Sequence, residues 1–322
     1  MSIFEYMKKY ILLLILVGLA TFSMAQDPRF TQKTGNINHF NPALVGAQSD
    51  FGVQLNYRNQ WPTFPINLVT YSLLINYNLK NGLGFGLELK NDKVGLITTS
   101  DVKANINYRR TFGSVETRYG LNLGYGEKHI DYDGLRFEDQ INPGGGFTNP
   151  TAEPFENNPT SYATLDIGAA AYYKGLLLGL AIQQLNEPEV SFFNNNASNQ
   201  PMRFVGNLAY IKELNQFNLA GLATFQQAGN YSLLETQICG QYKFVKLGIG
   251  YHQRFGSFSN SDFFSAALGI QFDKFSVGYS YDEDVFNSSR SSSAGTHQAT
   301  AAWYIKGLNK ERGMSRLMNV LL

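Results

Sequence analysis

The stretch Gly82-Leu83-Gly84-Phe85-Gly86-Leu87-Glu88-Leu89-Lys90 alternates large apolar side chains with glycine or charged ones. Because successive side chains of a β-strand point to opposite faces, this stretch predicts a strand with one apolar face and one small or polar face. About fourteen such runs fill the chain, and most have the length of about ten residues that crosses a bilayer as a tilted strand. The pattern predicts an all-β fold, a transmembrane antiparallel β-barrel of about 14 strands with long extracellular loops.

The predicted strands cover most of the chain after its first fifty residues. They are Phe51–Gln60, Leu68–Asn78, Gly82–Asp92, Asp101–Thr111, Val115–Lys128, Ser161–Lys174, Gly175–Leu185, Met202–Lys212, Gln216–Gln226, Tyr231–Lys243, Phe244–Arg254, Asp262–Phe272, Lys274–Tyr281 and Thr296–Lys306. An even number of strands returns the chain to the side of the membrane on which the barrel began.

The connections between these strands alternate between short and long. The short ones are Lys80–Gly82, Thr111–Ser114, Lys174–Gly175, Glu213–Asn215, Lys243–Phe244 and Asp273–Lys274. The longer ones are Trp61–Asn67, Lys93–Ser100, His129–Thr160, Asn186–Pro201, Gln227–Asn230, Phe255–Ser261 and Asp282–Gly295. Outer-membrane barrels have short periplasmic turns and longer extracellular loops. A secreted β-sandwich, the alternative fold, does not require this alternation, which therefore favours the barrel.

The period of two also assigns the side chains to faces. A charged side chain facing lipid costs about 2–4 kcal/mol at the bilayer midplane, so charge is expected on the lumen face. The lipid-facing set is predicted as Val53, Leu55, Tyr57, Leu73, Ile75, Leu121, Leu123, Leu247, Ile249, Val277 and Tyr279. The lumen set is predicted as Arg58, Glu88, Lys90, Lys103, Arg109, Arg118, Asp166, Arg203, Glu235 and Lys246, with several glycines beside them. Such glycines admit either a bulky filler of the lumen or a tight bend.

The chain ends lie outside this pattern. Lys8 and Lys9, an apolar run at Ile11–Ala20 and the small residues Ser23-Met24-Ala25 predict a cleaved signal peptide over residues 1–25. The alternative, a membrane anchor helix, is disfavoured because the apolar run is too short to span a bilayer. We expect a periplasmic lead-in over 26–50, the barrel over 51–306 and a basic amphipathic periplasmic tail over 307–322.

Composition agrees with a membrane barrel and excludes other classes. Charged residues make up 16% of the chain and aromatic residues 14%, with 31 glycines, whereas about a quarter of the residues in a soluble domain are charged. A net charge of +1 gives no reason to expect nucleic acid as a partner. Cys239 is the single cysteine, so a disulfide within the chain is excluded.

No motif for catalysis or metal binding stands out. His39, His129, His252 and His297 are the only histidines, and none has a local nucleophile pattern such as Gly-x-Ser-x-Gly. The loop His129–Thr160 holds six carboxylates that could bind calcium, but their spacing matches no recognised cation loop. We therefore expect no enzyme, no cofactor and no metal site, although residues distant in sequence can converge in a barrel.

Three motifs near the start of the mature chain point to a family. They are Asp27-Pro28-Arg29-Phe30-Thr31-Gln32, Asn41-Pro42-Ala43-Leu44-Val45-Gly46 and Tyr57-Arg58-Asn59-Gln60-Trp61-Pro62. With Asp166–Tyr173 and Leu178–Ala181, their order resembles that of the PorP/SprF family of type IX secretion proteins of the outer membrane. The resemblance covers essentially the whole mature chain. It implies a place in the outer membrane of a Bacteroidota-like cell, in the pathway that exports folded proteins and serves gliding motility.

The resemblance brings no catalytic residues, and it directs attention to six side chains as contacts for a partner protein. These are Asn41, Pro42, Ala43, Arg58, Gln60 and Trp61. A purely structural role is equally open, since Asn41-Pro42-Ala43 could route the chain into the first strand and Trp61 could be an interfacial aromatic. The role of the tail is open in the same way. Met314, Leu317, Met318 and Leu321 have helical spacing, which suits docking to a periplasmic partner, a position on the inner leaflet or a frayed end.

The functional hypothesis is a barrel that supports export or surface attachment of a secreted partner, such as an adhesin. Its expected partners are that cargo, other type IX secretion components and outer-membrane lipid. The three longest loops, His129–Thr160, Asn186–Pro201 and Asp282–Gly295, would hold the cargo. The alternative is a passive channel or a transporter of hydrophobic solutes, suggested by the mixture of charges predicted for the lumen.

Overall fold

The computed structural model describes most of the chain after its first 29 residues. The described residues are 30–64, 67–132, 135–142, 144, 146–147, 150–152, 159–192, 198–255, 262–284, 295–305 and 313–321. The predicted signal peptide lies outside them. In this part of the chain, none of the helices has both the length and the apolar character needed to span a membrane.

Fourteen antiparallel strands close into a barrel within the described residues. In chain order they are β1 (Phe51–Gln60), β2 (Leu68–Asn78), β3 (Leu83–Val94), β4 (Ile97–Phe112), β5 (Val115–Ile130), β6 (Thr160–Tyr173), β7 (Leu176–Gln183), β8 (Arg203–Leu214), β9 (Phe217–Ala228), β10 (Tyr231–Tyr242), β11 (Val245–Phe255), β12 (Phe263–Gln271), β13 (Phe275–Asp284) and β14 (Thr296–Ile305). Each strand pairs with its sequence neighbours, and β1 pairs with β14 from Phe51↔Ile305 to Gln60↔Thr296. All fourteen predicted strands are therefore confirmed.

Two of the predicted longer links are wrong. The predicted links Lys93–Ser100 and Gln227–Asn230 are two-residue turns, at 95–96 and 229–230. The polar residues at the ends of β3 and β4 continue the ladder, with Asp92 opposite Thr99 and Lys93 opposite Thr98. Backbone pairing does not require apolar side chains, so polarity alone does not mark the end of a strand. The two rims of the barrel are called the short-turn end and the long-loop end below.

The predicted faces are confirmed. In each strand the charged residues assigned to the lumen lie on the same alternate positions as the buried residues. Leu55, Leu123, Leu247 and Ile249 are exposed on the outer face. Exposed aromatic side chains cluster near the short-turn end, as in the girdle that anchors a barrel at a membrane interface. They are Tyr77, Tyr108, Phe112, Tyr119, Tyr173, Tyr210, Phe217, Tyr242, Phe244, Phe272, Phe275 and Trp303.

The hydrophobic core lies inside the barrel, because two further segments occupy the lumen. The N-terminal segment, residues 30–49, contains 3₁₀ helices at Lys33–His39 and Pro42–Leu44, and all of its residues are buried. The C-terminal helix, α1 (Met314–Val320), packs against β8, β9 and β10. A short 3₁₀ helix at Glu138–Gln140 lies in the loop between β5 and β6. The apolar core joins both lumen segments to inward side chains such as Leu177 and Cys239.

Candidate functional site

The N-terminal segment crosses the lumen from one wall to the other. The Lys33 ammonium forms an ion pair and hydrogen bond with Glu235 on β10. Asn36 and Asn38 donate to the two carboxylate oxygens of Glu88 on β3, over 2.8 and 2.6 Å. β3 and β10 lie seven strands apart in a ring of fourteen, so these two carboxylates hold the segment from opposite sides.

The first residues of the segment are held near the long-loop end. The Thr31 hydroxyl donates to the carboxylate of Asp282 on β13, and Arg58 Nη1 lies 3.1 Å from both that carboxylate and the Thr31 hydroxyl. The Thr31 backbone N–H donates to Gln298 Oε1 over 2.7 Å. Arg58 and Asp282 are both nearly fully buried. A buried ion pair completed by polar partners is therefore the upper anchor of the segment.

The Asn41-Pro42-Ala43 box is the middle anchor. The Asn41 amide donates to the backbone carbonyls of Ala169 and Leu180, each at 3.3 Å, while its side-chain oxygen accepts from the Ala43 N–H. This is an N-cap arrangement, and it starts the 3₁₀ helix Pro42–Leu44. Asn105 on β4 donates to the Pro42 carbonyl over 3.0 Å.

Glycines on the barrel wall allow the box to approach so closely. A Cβ atom at Gly120 on β5 would lie 2.3–2.4 Å from the main-chain atoms of Pro42 and Ala43. A Cβ atom at Gly168 on β6 would lie 2.3 Å from Asn41 Oδ1. Lumen glycines were expected either to admit a bulky filler of the lumen or to allow a tight bend. Gly120 and Gly168 admit a filler, the N-terminal segment.

The segment next turns towards β1 at Gly46, whose φ of +70° favours glycine. Asn78 on β2 donates to the Gly46 carbonyl over 2.6 Å, and Arg118 on β5 donates to the Val45 carbonyl over 3.3 Å. Backbone polar groups that water would otherwise solvate are thus bonded to the barrel wall.

Helix α1 occupies the lumen at the short-turn end. Met314, Leu317, Met318 and Leu321, the four residues with helical spacing, are all buried. Gln48 in the N-terminal segment donates to the Met318 carbonyl and accepts, through its backbone carbonyl, from the Ser315 hydroxyl. A tail extending into the periplasm was predicted, whereas the described part of it enters the barrel mouth. The reason is that its apolar face finds a partner there in the core described above.

Most of the predicted lumen charges take part in these contacts or pair with one another. Beyond the pairs with the segment, Lys90 pairs with Asp101 at 3.0 Å and Lys103 pairs with Asp166 at 2.8 Å. Burial lowers the pKa of Lys33 from its ordinary value, and the neighbouring Glu235 opposes that shift. The arrangement is therefore suited to holding a polypeptide in place.

Ser265, His252 and Glu235 form a chain of contacts that resembles a hydrolytic triad in distances alone. Ser265 Oγ lies 3.1 Å from His252 Nε2, and His252 Nδ1 lies 2.9 Å from Glu235. The Glu235 carboxylate also accepts hydrogen bonds from Lys33 and Gln226. The side chains of Ser265, His252 and Glu235 are all buried. We interpret this cluster as part of the lysine anchor, the ion pair through which Glu235 holds Lys33 of the N-terminal segment.

The described residues contain no cluster of three or more His, Cys, Asp or Glu side chains that could hold a metal ion. In the loop between β5 and β6, the Asp139 carboxylate accepts from the Thr151 hydroxyl and the Ala152 N–H. That carboxylate is thus bonded within its own loop. The expectations of no enzyme and no cofactor stay predictions.

The six residues predicted as partner contacts fall into two groups. Asn41, Pro42 and Ala43 lie inside the lumen, against β4 to β7. The other three line a small recess at the long-loop mouth, which is completed by residues of β11 to β14. The recess is lined by Arg58, Gln60, Trp61, Arg254, Phe263, Asp282, Asp284, Gly295 and Thr296. Their role in binding a partner stays a prediction.

Several anchoring residues were missed as such in the sequence. Gln32, Lys33, Asn36 and Asn38 belong to the predicted periplasmic lead-in over 26–50, whereas they lie buried inside the lumen. Glu88 and Glu235 were placed in the lumen without a partner. No local signal in the sequence separates an inward amide that binds the segment, such as Asn105, from an inward amide that faces water.

Three solved structures illustrate the barrel fold to which the chain is similar. Omp33 of Acinetobacter baumannii is 9% identical over 81% of this chain and 100% of its own, with a TM-score of 0.47. A FadL homologue of Pseudomonas aeruginosa is 10% identical over 88% and 99%, with a TM-score of 0.47. The CymD monoaromatic hydrocarbon channel is 10% identical over 88% and 95%, with a TM-score of 0.49. These similarities are too low to carry an argument about function. No curated protein sequence matches the chain.

A family model described as "Type IX secretion system membrane protein PorP/SprF" matches residues 22–303. The match covers most of the chain, including the motifs that carried the resemblance. A membrane component of a secretion system acts together with other components of that system. A closed barrel with an apolar outer band and an aromatic girdle is the architecture of outer-membrane proteins. The chain belongs to the PorP/SprF family of type IX secretion system membrane proteins and lies in the outer membrane.

Proposed function

We propose that this barrel is a closed docking ring that supports export or surface attachment of a secreted partner protein. The partner, such as an adhesin, would be held at the long-loop end. The single observation that carries the proposal is the lumen, which the N-terminal segment crosses between Glu88 and Glu235. A barrel filled by its own chain offers its mouth and loops to a partner rather than a path for solutes.

The recess at the long-loop mouth is the proposed contact surface. It combines two aromatic rings, Trp61 and Phe263, with charged side chains of both signs. Tryptophan and arginine are enriched among the residues that dominate protein–protein binding energies. The Trp61 backbone N–H donates to the Gly295 carbonyl over 2.9 Å. This hydrogen bond fixes the backbone that carries the Trp61 ring.

The channel alternative predicts that lumen charges line a water-filled path. Most of these charges instead contact the N-terminal segment or pair with one another. No specific contact of the described residues favours a solute pathway, so we do not propose one.

Truncating Trp61 is expected to release the partner from the cell surface. In a strain lacking the native gene, complementation with the unchanged chain should restore surface display of the cognate secreted protein. The Trp61→Ala chain should restore it at least about tenfold less well, because a central tryptophan commonly contributes 2 kcal/mol or more to binding. The measurement is immunolabelling of the partner on intact cells and its amount in the medium.

Trp303→Ala is the matched control, since Trp303 lies on the outer face near the short-turn end. Equal amounts of both variant barrels in the outer membrane must be verified by immunoblot. Normal surface display of the partner with Trp61→Ala would show that the recess is not the contact surface. Normal display in the strain without the gene would overturn the proposed function.

A further inference from the structure

An open recess of about 610 Å³ lies on the outer wall of the barrel. It crosses five neighbouring strands, β14, β1, β2, β3 and β4. Barrel exteriors are convex, so a recess of this size on the lipid-facing side needs an explanation. At about 4.8 Å between strands, four spacings give it a length of about 19 Å.

The recess runs between two rows of outward side chains that the strand register aligns. The upper row lies three positions from the long-loop end of every strand, and the lower row lies two positions further into the membrane. The upper row is Ala299, Tyr57, Tyr71, Asn91 and Ser100, and the lower row is Ala301, Leu55, Leu73, Leu89 and Val102.

The two rows differ in chemistry. In the upper row Asn91 Nδ2 donates to Ser100 Oγ over 2.9 Å, and the rings of Tyr57 and Tyr71 lie 5.1 Å apart. Side chains that are part apolar and part polar are typical of the membrane–water interface. The lower row is wholly aliphatic. The recess therefore has a polar upper edge and a hydrocarbon lower edge.

Two alanines line the recess at its β14 end. Ala299 and Ala301 on β14 lie between larger neighbours, with Tyr279 and Val277 opposite them on β13. Both of those neighbours are about half exposed, so they form the boundary on that side. The recess is thus bounded on the β13 side.

We propose that this recess is a binding site for one fatty acyl chain of an outer-leaflet lipid. The site is continuous with the lipid-facing surface of the barrel, so lipid reaches it without entering the lumen. Its length suits a long extended chain, and its polar edge lies on the side of the headgroups. The proposal concerns the membrane face and is independent of the docking function.

Filling the recess tests the proposal. Purified, delipidated barrel in detergent micelles is titrated with dipalmitoyl phosphatidylethanolamine, and retained lipid is counted by native mass spectrometry. The unchanged chain should retain one lipid molecule. The double variant Ala299→Phe with Ala301→Phe should retain it about tenfold less, because losing contact with about two CH₂ groups has that effect.

Ala266→Phe is the matched control, because Ala266 is an exposed outward alanine on β12, outside the recess. It should retain lipid as the unchanged chain does. Two results would overturn the proposal: no lipid retained by the unchanged chain, or equal retention by the double variant. Loss of lipid in the Ala266→Phe chain would equally mark the retained lipid as unspecific. A heat-modifiability gel verifies that each variant is a folded barrel.

Discussion

Replacing Glu235 with alanine is expected to lower the free energy of unfolding by about 3–5 kcal/mol, the usual cost of removing one partner of a buried ion pair. Lys33 and Glu235 are both nearly fully buried. Removal of the carboxylate takes away the anion that opposes the effect of burial, which already lowers the pKa of Lys33, and leaves the ammonium with the Phe30 carbonyl as an acceptor. It also removes the acceptor of Gln226 and the partner of His252. Urea unfolding in phospholipid vesicles, followed by tryptophan fluorescence, measures the loss.

Two companion variants define the cause of that loss. Glu213→Ala removes the partner of Arg316 in an ion pair whose side chains are 33% and 49% exposed, and it should cost less than about 1 kcal/mol. The double variant Lys33→Met with Glu235→Leu removes both charges and should recover much of the stability, since apolar replacements of buried pairs are often neutral. A loss for Glu235→Ala no larger than for Glu213→Ala would contradict the lysine anchor.

Replacing Gly120 with alanine is the second substitution with a large expected effect. The new Cβ would lie 2.3–2.4 Å from main-chain atoms of Pro42 and Ala43, which cannot rotate away as the end of a side chain can. The box must therefore move away from the wall. That movement breaks the hydrogen bonds from the Asn41 amide to the Ala169 and Leu180 carbonyls. Overpacking of this kind costs about 1–3 kcal/mol, measured by the same urea titration.

Gly221→Ala is the control for this substitution, because a Cβ atom at Gly221 on β9 meets nothing within 4 Å. Its effect should stay within about 0.5 kcal/mol. If Gly120→Ala and Gly221→Ala lower the free energy of unfolding equally, the close approach of the Asn41-Pro42-Ala43 box to β5 does not depend on Gly120.

Much of the fold could be predicted from the sequence because a membrane imposes a strict rule on the wall. Leu55, Leu123 and Ile249 must face lipid and Arg118 and Asp166 must not, so outward positions recur at every second residue along the strands. The same rule fails outside the bilayer. Lys93, Thr98 and Thr99 are polar enough for a loop, yet they continue the ladder between β3 and β4, and the sequence has no signal that separates paired polar residues from polar residues in a loop.

The filled lumen could not be predicted for a related physical reason. Polar side chains such as Asn36 and Glu88 suit water-filled and protein-filled lumens equally, because both satisfy hydrogen bonds. Their pairing spans 52 positions in the chain, and no local pattern encodes it. The Asn41-Pro42-Ala43 motif was visible as a turn, but the wall glycines that receive it became meaningful only once β5 and β6 were placed around it.

Single-channel recording of the purified full-length protein in a planar lipid bilayer shows whether the barrel is closed by its own chain. We expect no steady current, because the N-terminal segment crosses the lumen between opposite walls and α1 occupies the short-turn end. Large steady currents through the unchanged chain would contradict it.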